Sequence, residues 1–160
     1  MHVQSKEDVA EKAQALYEQS LDIARAIGYR WCIATNLVNL TQIYHRRVNL
    51  AESWSCMAQA MPMARSIGST SLELDILAEF AWHCLLTGDA ERGAELIGLV
   101  ASHPATEALV REEAERLMYD DFRKSLTPQG FADALERGKM LDLDTVVHFV
   151  THELTTSGRP

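Results

Sequence analysis

The chain has 160 residues, 47% hydrophobic and 24% charged, which suits one soluble globular domain with a sizeable core. Fifteen Lys and Arg against 23 Asp and Glu leave a net charge of −8, which argues against tracking nucleic-acid phosphates, a task that needs a basic face. No stretch approaches the ~18 apolar residues of a membrane span and the N-terminus carries no apolar signal core, so the expected location is the cytoplasm, with no membrane partner and no direct nucleic-acid partner.

From Glu7 to Ile27, Val9, Ala13, Leu16, Tyr17, Leu21 and Ala24 recur at helical spacing, and Gly28 supplies the left-handed residue that closes such a helix. A second helix is expected over about 30–47, with Ala34, Leu37, Leu40 and Tyr44 on one face and Val48-Asn49 as its turn. A third runs from about Leu50 to Gly68. Pro62 should remove a backbone bond and bend it, unless that helix starts late or is broken there. Ser69-Thr70-Ser71 offers N-caps for a fourth helix carrying Leu74, Leu77, Phe80, Ala81 and Cys84 up to Gly88. Asp89 caps a fifth, through Ala94, Ile97 and Ala101 to His103-Pro104.

Beyond Pro104 the pattern loosens. Residues 107–126 read as one helix with Val110, Ala114, Leu117, Met118 and Phe122 inward. Thr127-Pro128 is an N-cap followed by proline at the first helical position, opening a short helix to about Arg137. Asp142 or Asp144 caps the last helix, in which Val146, Val147, Val150 and Leu154 pack; β-branched residues lower its intrinsic helicity, so docking must hold it. Residues 155–160 read as a disordered tail. No period-2 stretch bounded by turn residues is found, so the expected class is all-α with about seven or eight helices.

Ala24-Arg25-Ala26-Ile27-Gly28 returns as Ala64-Arg65-Ser66-Ile67-Gly68, an offset of 40 residues. A repeated helix pair cannot bury its apolar face alone; stacked copies share a core and leave a surface for a partner. The expected domain spans 8–154, with units over about 8–28, 30–68 and 70–103 and degenerate helices over 105–154.

Within this register Leu37, Leu40, Thr41 and Tyr44, then Leu77, Phe80, Ala81 and Cys84, fill the spacing of 3, 1 and 3 of a tetratricopeptide unit, with Ser53, Met57 and Ala60, then Gly93, Ile97 and Val100, on the second helices. The chain resembles a tetratricopeptide-like right-handed superhelical stack of antiparallel helices. Its longer repeat resembles the C-terminal arms of LuxR-type and antibiotic-regulatory transcription activators and of related STAND-type ATPases. Leu16-Tyr17-Glu18-Gln19-Ser20-Leu21, the run 88–98 and the ending 134–144 carry that narrower likeness. Val48 stands where the pattern has a turn glycine and Cys84 where it has an aromatic. No Gly-x-x-x-x-Gly-Lys-Ser/Thr loop is present, so the resemblance implies an arm that binds neither ATP nor DNA itself, with neighbouring domains of a larger regulator or a protein or peptide as partners.

The resemblance places a ligand groove on the first helix of each pair: Thr35, Val38, Gln42, His45 and Arg46, then Asp75, Ala78, Trp82, Leu85 and Leu86. Gln42, His45 and Arg46 would hydrogen-bond a peptide, and Trp82 with Leu85 would hold an apolar anchor. The expected function is sensing or interaction in bacterial signalling or transcription regulation, without catalysis or cofactor. Two alternatives stand beside it. One is a scaffold that self-associates through exposed repeat ends. The other is a metal-dependent enzyme using His148 and His152, which share a helix face at i and i+4 but lack a third ligand at suitable spacing. Cys32, Cys56 and Cys84 fit reduced core thiols, with no CxxC spacing among them. The pairs Glu112-Glu113 and Asp120-Asp121 diverge around a helix rather than converge.

Overall fold

A computed structural model describes residues 5–106, 108–113 and 119–157, and every regular element among them is an α-helix. In chain order these are α1 (Lys6–Ile27), α2 (Arg30–Arg46), α3 (Leu50–Ser66), α4 (Thr70–Leu86), α5 (Ala90–Ser102), α6 (Ala108–Glu113), α7 (Tyr119–Ser125), α8 (Pro128–Lys139) and α9 (Leu143–Thr156).

The repeat is written most clearly in its turns. Gly28, Val48, Gly68 and Gly88 all have positive φ, at 71°, 54°, 66° and 93°, one every 20 residues. Each sits in the same closure: the next residue's amide reaches back five residues to a helix carbonyl, Tyr29 to Ala24, Asn49 to Tyr44, Ser69 to Ala64 and Asp89 to Cys84, at 2.8–3.0 Å. This double-bonded stop satisfies carbonyls that the helix end leaves orphaned. Side chains then cap the next start, with Asn49, Ser69 and Asp89 accepting from the amides of Glu52, Leu72 and Arg92. At the chain's beginning Ser5 and Asp8 form a reciprocal capping box that starts α1 one residue before the expected Glu7.

These stops lay α1 to α5 as successive neighbours, with α2 also against α4. The core runs along them through Leu37, Met57, Ala60, Leu74, Leu77, Phe80, Ile97 and Val100, all nearly inaccessible. Pro62 does not break α3, which begins at Leu50 and runs on to Ser66. The proline is exposed, while Met57, Ala60, Met61 and Ala64 around it are buried. Their packing offsets the roughly 3 kcal/mol that an interior proline costs.

Residue 107 and residues 114–118 lie outside the described residues, and with them the expected inward positions Ala114, Leu117 and Met118; the side chain of Val110 is likewise not described. Phe122 on α7 is fully buried as expected. α8 opens at Pro128 under the Thr127 cap and packs on α5 at backbone contact. A Cβ on Gly138 would collide with the Glu95 carbonyl oxygen, and one on Gly98 with the backbone of Leu135.

Asp142, not Asp144, caps α9, accepting from the Thr145 amide at 2.9 Å. This helix turns back onto α3 and α4, burying Val147, Val150 and Leu154. It continues to Thr156, two residues into the expected tail. The hydroxyls of Thr155 and Thr156 bond back to the carbonyls of Thr151 and His152 at 2.8 and 2.6 Å.

Candidate functional site

The 20-residue register turns one face of α2 and the matching face of α4 in parallel. On α2, Gln42 and Arg46 are exposed and Thr35 is half-buried, its hydroxyl donating to the Trp31 carbonyl at 2.9 Å. On α4, Asp75, Trp82, Leu85 and Leu86 are half-buried. Val38, His45 and Ala78, expected on this surface, are buried at 6%, 3% and 4% exposure. For these three the expectation is corrected: where α2 packs on α4, the turn of helix nearest the neighbour is taken into the interior.

His45 has a partner there. Its Nδ1 lies 2.9 Å from Glu79 Oε2 across α2 and α4, with both side chains buried. Because a carboxylate only accepts, Nδ1–H donates, and the pair ties the two helices beneath the exposed Gln42 and Arg46. His83, one turn along from Glu79, completes a buried group. Its ring centroid lies 5.8 Å from that of His45 and 5.2 Å from that of Trp54 on α3, and it stacks near Phe80 at 6.4 Å. His45 Nε2, Trp54 Nε1 and His83 Nδ1 are buried without a hydrogen-bond partner among the described residues. Burial above all, then the neighbouring His45, lowers the pKa of His83 to about 4, with Glu153 opposing.

The group is closed from the other side by α5 and α9. Arg92 lies over the Phe80 ring at 5.1 Å and forks onto Glu153, with contacts of 3.1 and 2.6 Å. Arg65 meets Asp144 at 3.5 Å. These contacts place the start of α9 by the end of α3 and its end by the start of α5. Nothing in the sequence pattern announced the group: His45 was placed on the binding face, and Glu79 and His83 lie far from it along the chain, so only the packing of α2 on α4 joins them.

His148 and His152 are both exposed on α9. Glu153, the acid beside them, is committed to Arg92. Among the described residues no three His, Cys, Asp or Glu side chains converge as a metal site would require. Cys56 and Cys84 are buried and Cys32 is half-buried, all as free thiols. Desolvation pushes the Cys56 and Cys84 thiols up to about 11 and about 12, which keeps both protonated and poor nucleophiles near neutral pH. No helix is long and apolar enough to cross a membrane among the described residues.

Comparison with known proteins finds no matching family model, no matching curated protein and no matching solved structure.

Proposed function

We propose that this chain is a tetratricopeptide-like, right-handed helical-repeat arm. It binds a protein, peptide or small effector on the α2–α4 face, as a cytoplasmic sensor or interaction module of a bacterial signalling or transcription regulator. The observation that carries this reading is the pairing of a strict 20-residue turn register with a face of exposed Gln42 and Arg46 and half-buried Trp82, Leu85 and Leu86. Arg46 and Gln42 supply directional polar contacts at the rim, and the tryptophan and leucines supply an apolar anchor, the combination that concentrates binding energy in small interfaces. The buried His45–Glu79 pair beneath holds the two helices in register, so occupancy of the face biases how one helix sits on the next. A neighbouring domain would read that bias as a population shift.

The test is native mass spectrometry of the chain after incubation in an extract of its source cells, beside the double variant Arg46→Ala, Trp82→Ala. A discrete added mass on the wild-type chain, lost in a variant that keeps its helical circular dichroism, is the expected result. The same mass carried by both would rule out this face as the binding site.

A further inference from the structure

The core between α2, α3 and α4 holds three nitrogens that the packing leaves unbonded. His45 Nε2, Trp54 Nε1 and His83 Nδ1 are inaccessible and have no hydrogen-bond partner among the described residues. Their residues are only 3%, 8% and 4% exposed. Each comes from a different helix, and the rings lie together. The centroid of His83 is 5.8 Å from that of His45 and 5.2 Å from that of Trp54, with the ring planes tilted at 47° and 55°. Burying one such group without a bond is costly, and native cores rarely do it. Three in one place, from three helices, mark a position where a small molecule is held.

The bonding needs of the three nitrogens define that molecule. Glu79 Oε2 lies 2.9 Å from His45 Nδ1 and accepts its proton, so the neutral ring presents a lone pair at Nε2 and needs a donor. The Trp54 indole N–H can only donate and needs an acceptor. His83 Nδ1 serves either way, by choice of tautomer. One ligand must therefore donate to His45 while accepting from Trp54. A metal cation fails at the indole N–H, because it cannot accept. A halide fails at the His45 lone pair, because it cannot donate. A hydroxyl does both. Hydrogen-bond arms of about 2.9 Å are on the scale of these ring separations, which suits a single oxygen atom and no larger solute.

We infer that one water molecule is bound in the core there, accepting from Trp54 Nε1–H, donating to His45 Nε2 and bonded to His83 Nδ1. Three partners are what a buried water typically has. Glu79, His45, the water, His83 and Trp54 then form one continuous network. The His45–Glu79 pair ties α2 to α4 alone; the water brings α3 into the same network through the indole of Trp54. This inference does not rest on the binding face proposed above.

Spectroscopy and crystallography of the full chain decide it. Water-selective NOE and ROE spectra should show the Trp54 indole proton in dipolar contact with a long-lived water, the two cross-peaks having opposite signs. Trp54→Phe identifies that signal among the three tryptophans by deleting it. Nitrogen-15 spectra should show His45 neutral, with its proton on Nδ1 and Nε2 bare. In a crystal soaked in bromide, the expected result is a water within about 3.2 Å of all three nitrogens, with no anomalous density at that position. An indole proton that meets no water, a His45 protonated at Nε2, or a bromide in place of the water would each overturn the proposal.

Discussion

Val48 sits at φ 54° with a β-branched side chain 61% exposed, a position that its three counterparts give to glycine. A residue with a Cβ held left-handed costs roughly 1–2 kcal/mol, and β-branching adds crowding. So little of Val48 is buried that its removal loses little packing. Gly is also freer in the unfolded chain, which takes back part of the gain. Val48→Gly is therefore expected to stabilise the protein by about 0.5–1 kcal/mol and raise Tm by a few degrees. A thermal melt checks it, and a lowered Tm would mean that Val48 makes a contact its exposure hides.

At the scale of elements, most helices were legible because each carries its own punctuation. Gly28, Gly68, Gly88, Asp89 and Thr127-Pro128 are local signals, and the stops and caps they imply are present. At Pro62 the two readings that end or delay the helix are excluded: α3 runs through it, carried by the burial of Met57, Ala60, Met61 and Ala64. The packing of α5 on α8 was not legible: the expected helix stopped at about Arg137, one residue short of Gly138, and neither Gly138 nor Gly98 carries a local sign that its backbone touches the other helix. That contact makes a prediction with a control inside one helix. Gly138→Ala gains up to about 1 kcal/mol of helix propensity, yet its methyl has nowhere to go, and forcing the helices apart costs typically 1–3 kcal/mol or more. Gly130→Ala on the same helix meets only the Thr127 hydroxyl at 2.9 Å and should fall within about 1 kcal/mol of wild type. Chemical denaturation of the two variants would separate them; a Gly138→Ala protein as stable as Gly130→Ala would show that α8 sits farther from α5.

At the scale of the whole molecule, the resemblance put ten residues on an open face, and the structure keeps seven of them out of the core, Gln42 and Arg46 exposed and the other five half-buried. Val38, His45 and Ala78 moved inward because a helical face that packs on its neighbour cannot also be a groove wall, and periodicity alone does not say where that line falls. The same packing gathers His45 and Glu79 from α2 and α4, Trp54 from α3, Arg92 from α5 and Glu153 from α9 around His83, so its charge state bears on the whole fold. In the unfolded chain His83 titrates near the ordinary value of 6.5, while in the folded protein burial and His45 hold it down to about 4. Above about 6.5 it is neutral in both states and the stability is fully present. As pH falls through the window between, the unfolded chain takes up a proton that the folded one refuses, so stability falls with pH until the folded value is reached. The difference across that window is on the order of 3 kcal/mol. His83→Phe removes the titrating group and its unpaired Nδ1 while keeping a ring among Trp54 and Phe80. Urea denaturation of both proteins at intervals from pH 7 to pH 4 should therefore show the wild type losing stability more steeply toward the acid end than the variant. Carboxylates remote from His83 act equally on both and cancel in the difference. Parallel curves would mean that His83 already takes its proton inside the fold near its ordinary pKa, and that the group closed by Arg92 and Glu153 is open to water.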